Sequence, residues 1–457
     1  MLHGECVMNK TYNLLVKFTP DSISNVTNGK IFFNESEKKA KHASFLSYLE
    51  YRHAIPDLAE TGKIKNEENS IDFSQYKGLV YIKNAPYMSL EELQRLATAL
   101  RDIDIVEYVE IEPVEPELDP VGPAPTPSGE CMSAGPTSTT PNFVDRQSYL
   151  LGDSGSNVIG IDAMNAWRLF EATGQGIRCA DIENGHFAYD HEDLEGSNFI
   201  ELVPMPGENT NDHGTAVAGI VFARNNGFGM LGVAYDIDVF YGISQGPLGR
   251  VGGIAEGLRH LRAGDVFIYE MQTGGREDRL VPADFNRGVW DITKQATDAG
   301  IIVVAAAGNG SEDLDHPFYE EYRSRGDNGS ILVGAGTRTG RNRFFFSTYG
   351  SPIHLQGWGD GYVATCGVGD LFNEGRTKTY TSLFAGTSAA TAVVGAAVIA
   401  VQSWFKKTGT VITPRHMREL LIRTGTPQGT GEHIGPLPHI VNAIASQSAV
   451  ELPAPAI

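Results

Sequence analysis

Four segments of the chain hold a carboxylate, an imidazole, an amide and a hydroxyl in settings where side chains can do chemistry. Asp181 closes the apolar run GIRCADI (Gly176 to Ile182). A carboxylate at the carboxyl end of a parallel strand lies where such sheets build their sites, although it can equally cap a turn. His213 stands in Asn211-Asp212-His213-Gly214-Thr215-Ala216-Val217-Ala218-Gly219, where it opens an apolar helix of small residues. Gly214 beside it permits close approach of backbone or substrate. Asn309 lies in Ala305-Ala306-Ala307-Gly308-Asn309-Gly310, just after an apolar strand, and can donate from its amide or simply form an Asn-Gly turn. Ser388 lies in Ala385-Gly386-Thr387-Ser388-Ala389-Ala390-Thr391-Ala392, at the start of a buried helix. Backbone N–H groups in a first helical turn lack intrahelical partners, so the one at Ser388 is placed to bind an oxyanion. The plainer alternative is an ordinary Ser or Thr cap.

A competing set is weaker. Gly152-Asp153-Ser154-Gly155-Ser156 resembles the nucleophile loop of chymotrypsin-like proteases. That arrangement needs its His and Asp earlier in the chain, and the upstream histidines, His3, His42 and His53, have no matching context.

Taken together, and in the order Asp, His, Asn, Ser, the four segments resemble the subtilisin-like serine peptidases, or subtilases. NDHGTAVAGIV is similar to the family's His motif, AGTSAATA to its Ser motif and VVAAAGN to its oxyanion Asn motif. Leu231-Gly232-Val233-Ala234 and Phe346-Ser347-Thr348-Tyr349-Gly350 add to the likeness, which spans roughly residues 145 to 445. The resemblance implies a serine endopeptidase. Ser388 would attack the scissile carbonyl, His213 would carry the proton, Asp181 would orient the imidazole, and Asn309 would stabilise the oxyanion. It also implies that MQTGG (Met271 to Gly275) pairs with extended substrate. Gly274 would line the cleft opposite Ala306, Ala307 and Gly308, whose small size leaves room for a substrate side chain. Three departures stand out. Asp181 is followed by Ile182-Glu183 where the family has Ser or Thr and then Gly, which makes Asp190 and Asp193 its rivals. Ala389 replaces a frequent Met, and Ala392 a frequent Pro. Two other uses of the same residues are a catalytically idle peptide-binding scaffold and a peptide ligase or cyclase. No cofactor is required by this chemistry. Structural calcium is a family expectation, with Glu312-Asp313-Leu314-Asp315 as an available acidic cluster, though a charge cluster is more often a solvated loop.

The elements that must position these residues follow from hydrophobic patterning. From about 145 to 450, apolar strands (Gly176 to Ile182, Asp265 to Met271, Ile301 to Gly308, Ile331 to Gly336) alternate with helices (Ile254 to Arg262, Arg287 to Ala299). This predicts an α/β fold, a mostly parallel sheet covered by helices on both faces. Residues 10–112 predict a smaller α+β domain. Its strands are YNLLVKF, GLVYIKN and VEYVEIE, with a helix in Ser36 to Tyr51 and another after the capping box Ser89-Leu90-Glu91-Glu92. Residues 113–144, rich in Pro and Gly, read as an acidic linker. A small β-α unit before a subtilase resembles the family's propeptide. That resemblance implies a zymogen whose own N-terminal domain is an intramolecular inhibitor, released by self-cleavage in the linker.

Bulk properties agree. The 457 residues suit two domains, and a net charge of −20 argues against nucleic acid as a partner. No apolar run is long enough for a transmembrane helix, and the first residues lack the pattern of a signal peptide. The four cysteines match no zinc or redox spacing, and Cys179 and Cys366 read as core residues.

Overall fold

The computed structural model describes residues 11–34, 41–55, 63–65, 70–72, 74–114, 140–153, 157–183, 185–196, 198–205 and 213–448. Most of the expected linker, and the Ser154-Gly155-Ser156 segment, lie outside them.

Two sheets organise the chain. The smaller has four antiparallel strands: β1 (Tyr12–Phe18), β2 (Tyr51–His53), β3 (Leu79–Ile82) and β4 (Val106–Pro113), in the order β2-β3-β1-β4. Its side chains alternate. Leu14, Val16, Phe18, Val80 and Ile82 face a core shared with helices α1 (Lys41–Ser47) and α2 (Leu90–Arg101). Helix α2 starts where its capping box predicts: Ser89 Oγ accepts from Glu92 N at 3.3 Å, and Glu92 Oε2 accepts from Ser89 N at 2.8 Å.

The larger sheet has seven strands, all parallel. They are β5 (Arg178–Glu183), β6 (Phe199–Val203), β7 (Val239–Ser244), β8 (Val266–Tyr269), β11 (Ile302–Ala306), β12 (Ile331–Gly336) and β13 (Leu355–Trp358). The order is β6-β7-β5-β8-β11-β12-β13. Between β8 and β11 a short hairpin, β9 (Gln272–Gly274) and β10 (Leu280–Pro282), leaves the sheet. One face is covered by α3 (His213–Phe222) and by α6 (Gly386–Lys407), the other by α4 (Arg250–Leu258) and α5 (Arg287–Asp298). This is the expected α/β arrangement, with a separate small sheet before it.

Contrary to the expectation that no run is long enough, helix α6 has the length and apolarity of a membrane span, but it is the buried axis of the core. Its Ala- and Gly-rich sequence lets it lie against β8, β11, β12 and β13. Helix α4 begins four residues before the predicted Ile254. The sequence RVGGIAEGL reads as a poor helix, because each Gly costs about 1 kcal/mol against Ala. Packing reverses that: a Cβ on Gly257 would lie 2.6 Å from Phe267, and one on Gly253 2.9 Å from Ile182. The glycines are what allow this helix to lie flat on the sheet.

The second face of the small sheet docks on α4 and α5. Leu15, Leu79 and Tyr81 join the core that contains Val251, Val289 and Ile292. Polar groups cross the same contact. Lys17 reaches Asp291 at 3.2 Å, Tyr108 Oη donates to the same carboxylate at 3.2 Å, and Arg52 donates to Leu248 O at 3.0 Å. Two carboxylates on one face of β4 meet two helix starts. Glu110 accepts from the backbone N–H of Arg287 and of Gly288, the latter at 2.9 Å, and Glu112 lies against the backbone N–H of Arg250.

Candidate active site

Parallel strands deliver their carboxyl ends to one edge of the large sheet, and of the four side chains singled out in the sequence His213, Asn309 and Ser388 belong to segments that start or follow a strand there, while Asp181 lies inside its strand. His213 is the first residue of α3, so the helix axis fixes its Cβ at the rim of the sheet. Its Nδ1 lies 2.8 Å from Glu183 Oε2. The glutamate is fully buried, and the imidazole is 15% exposed. The ring also meets Phe384 edge-on, with centroids 5.3 Å apart.

This corrects the expectation for Asp181. The carboxylate on the imidazole belongs to Glu183. Strand β5 does not end at Asp181 but runs through Glu183 to the turn at Gly185. Asp181 and Glu183 lie on the same face of the strand, two residues apart, so the carboxyl end is about 6.6 Å further on. Asp181 is completely buried and neither carboxylate oxygen has a hydrogen-bond partner. Burial pushes its carboxyl well above the usual range, and the charge of Glu183 raises it further. The position on the imidazole Nδ1 is taken by Glu183. The signal for Glu183 was present in the sequence: it directly precedes Asn184-Gly185, a turn signature that marks the true strand end. The rivals are also placed elsewhere. Asp190 pairs with Arg376. Asp193 is buried among Asn226 Nδ2 at 2.8 Å and Met230 N at 2.7 Å, where burial raises it to about 6.

Ser388 is the third residue of α6, 1% exposed, four residues after the Phe384 that touches His213. Asn309 approaches the same helix start. Its Oδ1 accepts from Thr387 N at 2.9 Å and from Thr387 Oγ1 at 3.0 Å, which orients the carboxamide against Gly386-Thr387 with its Nδ2 end turned away from Thr387. Its own N–H donates to Gln272 Oε1 at 3.0 Å. His213, Ser388 and Asn309 therefore come from three separate segments to one rim, with Glu183 behind the histidine.

The residues expected to line the cleft are placed less simply. Gly274 closes β9, half-buried, and a Cβ there would make ordinary contact with Asp278, 3.6 Å from its Oδ1. Ala306 and Ala307 are buried, Ala307 in the core beneath β10. Gly308 has φ +94°, and a Cβ there would lie 2.7 Å from Leu280 O. The absence of a side chain at Gly308 lets the chain's own β10 strand lie against it. The acidic loop is likewise engaged. Glu312 is buried against Arg276 at 2.7 Å, and Asp315 accepts from Ser351 N at 2.8 Å. Among the described residues no group of three or more His, Cys, Asp or Glu stands ready to hold a metal. Cys179 and Cys366 are buried free thiols, as read from the sequence.

Comparison with known proteins agrees with this architecture. The profile of the subtilase family, Peptidase_S8, matches residues 131–435. An alkaline elastase from Bacillus sp. (strain YaB) is 35% identical over 200 residues, 42% of this chain and 48% of that protein. An extracellular basic protease from Dichelobacter nodosus is 26% identical over 357 residues, 65% of this chain and 55% of that protein. Subtilisin BL from Lederbergia lenta is 32% identical over 242 residues, 51% of this chain and 80% of that protein. The chain thus spans about half the length of the first two of these relatives. Among solved structures, fervidolysin from Fervidobacterium pennivorans, described as a keratinolytic enzyme related to subtilisin, shares the fold. Its TM-score is 0.55 at 19% identity, over 99% of this chain and 63% of that one. A protease from Pseudoalteromonas arctica does so with a TM-score of 0.51 at 22% identity, over 68% of this chain and all of that one.

Proposed function

The chain belongs to the subtilase family, and from that premise we propose that it is a serine endopeptidase working through an acyl-enzyme on Ser388. His213 takes the Ser388 proton and returns it to the leaving amine. Glu183, in place of the family's Asp, holds the imidazole tautomer with the proton on Nδ1 and stabilises the imidazolium. The Asn309 carboxamide and the Ser388 backbone N–H stabilise the tetrahedral oxyanion. The observation that carries this reading is the 2.8 Å contact between His213 Nδ1 and Glu183 at the rim that also holds Ser388 and Asn309. The substrate is a polypeptide. The cleft-side strand β9, which ends at Gly274, is the element suited to pair with an extended chain.

The N-terminal unit acts in this reading as an intramolecular inhibitor, and the chain is made as a zymogen. Two observations support it. The small sheet docks on α4 and α5 through polar groups that reach across the contact: Lys17 and Tyr108 to Asp291, and Glu110 to the N–H of Gly288. The end of β4 also leads toward the catalytic rim, with Val114 O 3.5 Å from where a Cβ on Gly246 would lie. Structural calcium remains an expectation of the family, for which no ligand set is proposed.

Wild-type and Ser388→Ala chains purified side by side and compared by intact mass test the proposal. Cleavage within residues 113–144 in the wild type alone is the expected result. Cleavage in both chains removes self-processing by Ser388. Full-length protein in both, together with no labelling of the wild type by a fluorophosphonate, removes the peptidase reading.

A further inference from the structure

Arg250 is the first residue of α4 and is 2% exposed. It is among the largest fully enclosed side chains of the protein. A guanidinium removed from water costs several kcal/mol unless its hydrogen bonds are rebuilt, so its partners identify what it is held for. Nε donates to Gln245 Oε1 at 3.1 Å, and Nη2 donates to the backbone carbonyl of Gln272 at 2.6 Å. Gln272 is itself 3% exposed and begins β9, the strand along the cleft. Its side-chain carbonyl accepts the backbone N–H of Asn309 at 3.0 Å. Asn309 in turn is clamped to Thr387, the residue before Ser388. One chain of hydrogen bonds thus runs from a buried cation on α4, through β9, to the loop after β11. It crosses from the helical layer that carries the small sheet to the rim that carries the nucleophile.

We propose that Arg250 is a positioning residue for the oxyanion site, fixing Gln272 so that Gln272 holds Asn309 at its working place. This rests on the reading of Asn309 as an oxyanion donor. The guanidinium touches no substrate. Its effect is to fix the peptide plane of Gln272, and with it the side chain that reaches the Asn309 N–H. A neutral side chain at position 250 would remove the bond from the guanidinium to the Gln272 carbonyl and loosen the hold on β9. Displacements below 1 Å matter at such a site, because donors must sit within hydrogen-bond distance of the developing charge. Glu112 on β4 interacts electrostatically with this guanidinium, so while the N-terminal sheet is docked the relay also has a counter-charge.

The test uses purified full-length protein in whichever processed form accumulates, with active sites counted by a fluorophosphonate and kcat and KM measured on a peptide amide. For Arg250→Met we expect kcat about 10- to 100-fold lower with KM changed by less than about three-fold, the pattern of an interaction used in the transition state. Arg250→Lys should recover part of that loss. The double variant Arg250→Met with Asn309→Ala should be no slower than Asn309→Ala alone, since both act at one place. Gln272→Met, which removes the acceptor of the Asn309 N–H, should show the same split and supplies the answer if Arg250→Met does not fold. An unchanged kcat, a loss confined to KM, or losses that multiply in the double variant would each overturn the proposal. If Asn309→Ala itself keeps full kcat, the oxyanion reading fails first, and that outcome is separately visible.

Discussion

The two sheets handle buried charge in opposite ways. In the seven-stranded sheet the strands are apolar along both faces, and the functional carboxylate lies at a strand end, Glu183 against His213. In the four-stranded sheet one face is apolar and turned to α1 and α2, while the other carries Lys17, Tyr108, Glu110 and Glu112 into a contact with α4 and α5. The first pattern is that of a permanent core with one worked edge. The second is that of a polar contact surface, whose charged groups share their partners between their own sheet and the helices it meets. Asp181 is the exception within the large sheet: a carboxyl inside the core with no partner at all.

The strongest break of this contrast is at the strand end. Glu183→Gln should lower kcat/KM on the order of 10³–10⁴, the scale seen when the orienting carboxylate of such a triad becomes an amide. Asp181→Asn should stay within about three-fold of wild type, because the imidazole Nδ1 is held by Glu183 and not by Asp181. Steady-state kinetics on the two variants decides the matter, and equal losses would undo the assignment of Glu183. Next in size is Asp291→Ala. It leaves Lys17 with Glu107 as its remaining carboxylate and removes the acceptor of Tyr108, and should weaken docking of the small sheet by about 2 kcal/mol. Thermal unfolding of the uncleaved Ser388→Ala chain, with and without the substitution, measures it.

A smaller effect sharpens the comparison through pH. Burial, with the charge of Glu112 added to it, raises Glu110 from its ordinary value of 4.5 to about 7, against the N–H groups of Gly288 and Arg287 and the charge of Arg325. Its docked value lies above its undocked one. Its contribution to docking is therefore complete below about 4.5 and is lost as pH rises to about 7. The first unfolding transition of the Ser388→Ala chain should fall over that window, and Glu110→Gln should flatten the dependence. A transition that rises over the same window would reverse the sign and discard the account.

Much of the fold could be read in advance. Strand β12 lies where the pattern ILVGAG puts it, and α5 ends within a residue of the predicted Arg287 to Ala299. Helix α2 begins at its capping box. Strands β6 and β7 were not singled out, since FIELV and VFYGIS are short runs whose burial depends on neighbours distant in sequence. The start of α4 was misjudged because propensity penalises glycines that close packing requires.

The sequence by itself determined the family, the parallel architecture and the segments that carry the hydroxyl, the imidazole and the amide. These are local facts: a motif, an apolar period, a turn at a strand end. Only the tertiary structure decided which of two nearby carboxylates meets His213, what fills the space beside Gly308, and how Arg250 reaches Asn309 through Gln272. Each of these depends on how far a strand runs before it turns, or on contacts between residues tens of positions apart. Spacing along the chain does not encode such distances until the sheet and its helices have been packed.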